Sequence, residues 1–268
     1  MTASAYLYCF LGVLKRELQR FVQQRTRFVS ALVRPLLWLA VFAAGFRTTL
    51  DGLAIPPHHG AISYEVYIVP GLVGIIVLFN SMQSSLSMVY DREMGSMRIL
   101  LTSPLPRSWL LISRLFSSAL VSLLQVYAFL LIARLFAVTP PAWGYVAAFP
   151  AIVCSAILLG ALGLLLASII DQLENFAGVM NFVVFPLFFL SSALYPLSQM
   201  REASEWVYWL CAANPFTYAV EFVRHSLWMG FSPSAFWVTT TVAIILTTAA
   251  VIGFDPSRKM LAGRPGAH

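Results

Sequence analysis

Six stretches of the chain, at 28–46, 67–90, 109–131, 145–170, 176–194 and 236–254, are each about twenty residues long and predominantly apolar. Wound into a helix, a run of that length matches the hydrocarbon thickness of a bilayer, where every backbone polar group must find a partner inside protein. The pattern predicts an all-α polytopic membrane protein with six transmembrane helices in a single domain over 1–268. Composition removes the main alternatives. Hydrophobic residues make up 59% of the chain and charged residues 10%, and a soluble core of this size cannot hide that much apolar surface. A soluble enzyme and a disordered tail are excluded. Cys9, Cys154 and Cys211 lie far apart with no C-x-x-C, so neither a disulfide framework nor a zinc site is indicated. The first apolar run starts too late, and follows too basic a segment, for a cleaved signal peptide.

Orientation follows from the basic residues. Lys15, Arg16, Arg20, Arg25 and Arg27 precede the first run; Arg92, Arg98 and Arg107 lie between the second and third; Arg258, Lys259 and Arg264 follow the last. The opposite side holds only Arg47, Arg134, Arg201 and Arg224. Cytoplasmic loops carry the excess of Lys and Arg, so both termini are expected in the cytoplasm. The net charge of +6 is read as this bias and not as a nucleic-acid surface. Arg34 and Arg114 lie a turn or so inside their spans and are expected to snorkel to the headgroups.

The connecting segments are informative. Over 6–24, Leu7, Phe10, Leu11, Leu14, Leu18, Phe21 and Val22 recur at helical spacing, with Lys15, Arg16, Gln19, Arg20 and Gln23 mostly opposite. This is an amphipathic helix expected to lie in the interface. The segment 91–107 mixes charge with Met94, Met97, Leu100 and Leu101 and is closed by Pro104 and Pro106. It suits a short amphipathic helix that docks on another protein or floats on headgroups. Over 195–233, short helices are expected at or dipping into the outer leaflet. Asn214-Pro215 reads as a helix start, and Glu221 falls three and four residues before Arg224 and His225. In the second run, Asn80, Gln83, Ser84 and Ser87 share one helix face. That stripe should avoid lipid, either as a candidate translocation path or as packing between helices.

Other chemistry is missing from the sequence. There is no G-x-x-x-x-G-K-[ST], and Lys15 and Lys259 are the only lysines, so no P-loop binds ATP here. No metalloprotease or nucleophile-elbow motif occurs, and His58-His59 has no further ligand nearby. No acid sits in mid-span, which argues against the alternative, an ion-gradient-driven six-span secondary transporter.

The order of these features resembles the membrane subunits of type 2 ABC exporters, the ABC-2 permease family, over nearly the whole chain. The resemblance rests on the basic amphipathic helix before the first span and on Tyr67-Ile-Val-Pro-Gly71 opening the second. It rests further on Asp91-Arg-Glu-Met-Gly-Ser96 with Leu100-Leu-Thr-Ser-Pro-Leu-Pro106, and on Asn214-Pro-Phe-Thr-Tyr218 before the last span. It implies that 91–107 is a cytoplasmic coupling helix seated in a cleft of a separate ATP-binding subunit. Glu93, Gly95, Ser96, Leu100 and Leu101 would lie at that interface, flanked by Arg92 and Arg98. It implies outer re-entrant helices carrying Asn214, Pro215, Glu221 and Arg224 as a lid. It also implies two permease subunits, expected as a homodimer, with two ATPase copies, in a bacterial inner membrane. ATP and Mg would be bound by the partner and no cofactor by this chain.

Overall fold

The computed structural model describes residues 3–23, 25–50, 63–95 and 106–254. Among these the chain forms ten α-helices, one 3-10 turn and no strand. They are α1 (Ala3–Gln23), α2 (Arg25–Leu50), α3 (Tyr64–Glu93), α4 (Arg107–Ala133), α5 (Ala142–Ile169), α6 (Leu173–Phe189), α7 (Leu197–Ala203), α8 (Glu205–Ala213), α9 (Pro215–Leu227) and α10 (Pro233–Gly253).

The central element is α3, which packs against α2, α4, α5, α6 and α9. Its membrane-length window is 83% buried, so it is apolar all round because every face meets another helix. By contrast α10 lies on the rim, with only 22% of its window buried, and its exposed Ile244, Ile245 and Ile252 face outward. The long helices alternate in direction. Arg114 of α4 meets Asp91 at one end of α3, where Arg92 also meets α5 and the α5–α6 connection. Tyr64 and Tyr67, at the other end, meet the segment after α6.

Helices approach closely where glycine removes the side chain. A Cβ on Gly163 of α5 would stand 2.5 Å from the Ser85 hydroxyl of α3. Small residues at such crossings let membrane helices gain dispersion contacts that lipid cannot supply better.

Among the described residues four helices are long and apolar enough to cross a membrane: α3, α4, α5 and α10. Two expected spans fall short. The first is a helix over its whole length, but its apolar core covers only Val29–Phe42, because Arg34 and then Arg47, Thr48 and Thr49 dilute the run. The fifth was expected to reach Leu194, yet α6 ends at Phe189. Pro186 supplies no N–H to the helix ladder, and beyond it other side chains take over the carbonyls.

Helix α1 forms where the periodicity predicts, with Lys15, Gln19 and Gln23 of its polar side exposed and Arg16 and Arg20 half-buried against the bundle. Arg20 donates to Asp91 of α3 at 3.3 Å, and Trp109 of α4 donates its indole N–H to the Tyr6 carbonyl at 3.1 Å. The Tyr6 and Trp109 rings meet edge to face at 5.3 Å. Leu7, Leu11 and Val22 point away and are exposed, which leaves an apolar stripe free for an interface.

Candidate functional site

Two polar clusters stand at opposite ends of α3, with a cavity between them. The first is built on Asp91-Arg92-Glu93, the last turn of α3. Asp91 is buried, 5% exposed, and accepts from Arg20 of α1 at 3.3 Å and from Arg114 of α4 at 3.4 Å. A buried carboxylate is tolerable only with such partners. Arg114 continues the network with bonds to the Ser84 carbonyl at 3.2 Å and the Ser87 hydroxyl at 2.5 Å. Arg114 therefore does not snorkel, since acceptors within the protein reach it first.

Arg92, the next residue, donates to Asp171 at 2.6 Å and to the Ala167 carbonyl near the end of α5. A cation at a helix C-terminus complements the exposed carbonyls there. The carboxylate of Glu93 accepts the Leu173 backbone N–H at 3.2 Å and so caps the first turn of α6, where negative charge is favoured. Consecutive residues thus bind α1 and α4 on one side and the α5–α6 connection on the other. Gly95 then adopts φ +71°, a conformation open to glycine at little cost. Its N–H bonds the Arg92 carbonyl at 3.1 Å and ends the helix. Ser96, Arg98, Leu100 and Leu101 lie outside the described residues.

The second cluster stitches a broken helix. After Phe189 the chain runs without helix to Pro196, leaving buried carbonyls that need donors. Asn214 supplies two bonds, from Nδ2 to the carbonyls of Leu187 at 2.8 Å and Leu190 at 2.6 Å. Its Oδ1 accepts the Phe216 N–H at 2.9 Å and caps α9, with Pro215 in the first turn. This is the helix start that the Asn-Pro pair predicts. The hydroxyls of Ser191 and Thr217 bond the Phe188 and Cys211 carbonyls at 2.6 and 2.7 Å. Arg224 pairs with Glu221, donates to the Ser192 carbonyl at 2.9 Å, and lies 4.0 Å from the centre of the Tyr67 ring. Tyr67 donates to the same Ser192 carbonyl at 2.7 Å. The Tyr67-Ile-Val-Pro-Gly71 motif now has a physical reason: a Cβ on Gly71 would overlap the Ala193 carbonyl. Tyr64 and Ser192 carry no motif of their own, so sequence reading passed over them.

The polar stripe of α3 divides. Asn80 bonds the Ser118 carbonyl at 3.2 Å and the Ser122 hydroxyl at 2.6 Å, while Ser84 and Ser87 serve Arg114. These three join α3 to α4. Gln83 turns the other way, into a cavity of about 260 Å³ between α2, α3 and α4. Among the described residues no group of three metal-ligating side chains converges anywhere.

Outside the spans, Cys9 on α1 is partly buried, and burial pushes its thiol pKa up.

The profile of one protein family, described as ABC-2 type transporter, matches residues 8–228. Among curated proteins the chain is similar to a transport permease, ycf38, of Cyanophora paradoxa, at 28% identity over 256 residues, covering 90% of this chain and 86% of that one. It is also similar to the ycf38 permeases of Porphyra purpurea, at 28% identity with 84% and 77% coverage, and of Pyropia yezoensis, at 27% with 82% and 75%. Both polar clusters fall inside the matched region.

Proposed function

The chain belongs to the ABC-2 type transporter family, and from that premise we propose that it is the membrane permease of an ATP-driven exporter, one half of a translocation path worked by a separate ATP-binding subunit. One observation supports this reading above the others. The first three residues of the coupling segment 91–107 hold α1, α4, α5 and α6 at once. A push on 96–105 would enter the bundle through the end of α3 and reach all four neighbours. Interfaces of this kind have discrete alternative packings, so a small displacement becomes a switch between them.

In this reading α2 and α6 complete six crossings, with the Asp91 end of the bundle and both termini in the cytoplasm, in keeping with the distribution of basic residues. ATP and Mg are held by the partner, since the sequence lacks a P-loop. The stitched segment 190–232 closes the outer end against leakage. Two permeases pair through α6. Asn181 is exposed there beside Gly178, Phe182, Phe185 and Phe189, and an amide facing hydrocarbon is costly unless protein or a water-filled path covers it.

Purification tests the reading. The isolated chain should hydrolyse no ATP, and a soluble P-loop ATPase expressed with it should co-purify and give transport-linked turnover. Charge reversal of Glu93 together with Arg98 should abolish transport while the chain stays in the membrane. Normal transport by that variant would remove the coupling assignment.

A further inference from the structure

The cavity between α2, α3 and α4 is lined by apolar Ala31, Pro35, Ile75 and Ile76 and by a set of polar groups with unusual vacancies. Gln125 is 1% exposed, and its side-chain amide makes no hydrogen bond with any described residue; Oε1 is wholly buried and unpartnered. Gln83 likewise bonds to no described residue. Arg34 is exposed on α2. Its guanidinium lies over the Phe79 ring, 4.3 Å from the centre, and no described carboxylate pairs with it. Phe79 and Asn80 are halfway along the 30 residues of α3, roughly 20 Å from either end at 1.5 Å per residue.

Gln125 is buried, Gln83 half-buried and Arg34 exposed on the chain surface, and at that depth a buried amide without a partner and a cation that meets only hydrocarbon are both expensive. Together they offer a positive charge, amide N–H donors and an amide acceptor. That donor set fits a head bearing both an acidic oxygen and a hydroxyl. The volume, about 260 Å³, is smaller than sites that enclose a whole drug-sized ligand, so the rest of the molecule must lie outside. Leu37 and Val41 follow Arg34 on one stripe of α2 and are exposed, a track suited to a hydrocarbon chain.

We propose that this cavity binds one anionic amphiphile, its hydroxylated acidic head held by Arg34, Gln83 and Gln125 and its chain laid along Leu37 and Val41. As the class of cargo this rests on the exporter reading; as a binding site it does not.

The test uses the full chain, purified in neutral detergent and titrated with short-chain phosphatidylglycerol under native mass spectrometry. One phosphatidylglycerol should bind per chain, about tenfold tighter than phosphatidylcholine of equal chain length, and R34Q should erase that preference. Q125L should weaken phosphatidylglycerol binding about tenfold while leaving thermal stability equal or higher, because it removes an unpartnered buried amide. A glutamine with only a structural role would not separate the two readouts. Equal binding of the two lipids, or an unchanged preference in R34Q, overturns the proposal. Inorganic phosphate binding as tightly as the lipid overturns the amphiphile assignment. Co-purification of the ATPase is scored separately. Lipid binding without an ATPase partner removes the exporter reading and keeps the site, and the reverse result removes the site alone.

Discussion

Replacing Asp91 by Asn keeps the shape of the side chain and removes its charge, leaving Arg114, buried at 6% side-chain exposure, without its direct ion-pair partner and with only the nearby Glu17 carboxylate to offset it. The lost attraction can be sized. Two unit charges 3.4 Å apart attract by about 5 kcal/mol at an effective dielectric of 20. Arg114 keeps the Ser84 carbonyl and the Ser87 hydroxyl, which moderates the loss. The pair to Arg20 adds little, because that arginine is 35% exposed and well screened. The expected destabilisation is about 3 kcal/mol, the lower end for breaking a buried pair from one side. Unfolding by SDS titration from mixed micelles, followed by circular dichroism, reads it. The double variant D91L/R114M removes both charges and should recover to within about 1 kcal/mol of the parent. A D91N protein within about 0.5 kcal/mol of the parent, or a double variant as unstable as D91N, would refute the claim that this ion pair joins α3 to α4.

N214A should lose the α9 cap and two bonds to the end of α6, costing about 2–3 kcal/mol in the same titration; N214D keeps the cap but sets a carboxylate against two carbonyl oxygens and should be worse. G71A should cost about 1–3 kcal/mol because its methyl meets the Ala193 carbonyl, whereas G12A, with open space around it, should gain up to about 1 kcal/mol of helix propensity. Maleimide labelling of Cys9 should run slower than a free thiol at pH 7.5. The raised pKa lowers its thiolate fraction there, and the gap should close as pH rises past the perturbed value.

The sequence made the long spans legible because burial in lipid demands uninterrupted apolar runs, and α3, α4, α5 and α10 are such runs. Helix α1 and the start of α9 were legible too, from a 3.6-residue period and an Asn-Pro pair. The break after Phe189 was not, because it depends on Asn214, which lies 24 and 27 residues further on. The placing of Arg114 failed for a similar reason. Its partner Asp91 is 23 residues away on another helix, although two opposite charges at the facing ends of neighbouring spans were a usable signal. The resemblance places Arg92 and Glu93 at a partner interface, and the structure adds contacts within the chain. They bind residues 79 and 80 positions later in the same chain, a pairing with no local pattern to announce it. For Arg34 the sequence sets a depth along the helix but no direction, and the contact with the Phe79 ring adds one.

The account depends most on which side of the membrane holds the end of α3. Met94 is 60% exposed there, so M94C in a background lacking the three native cysteines gives a direct reading. A membrane-impermeant maleimide should leave it unlabelled in intact cells and label it once the membrane is opened; labelling from outside intact cells would contradict the account.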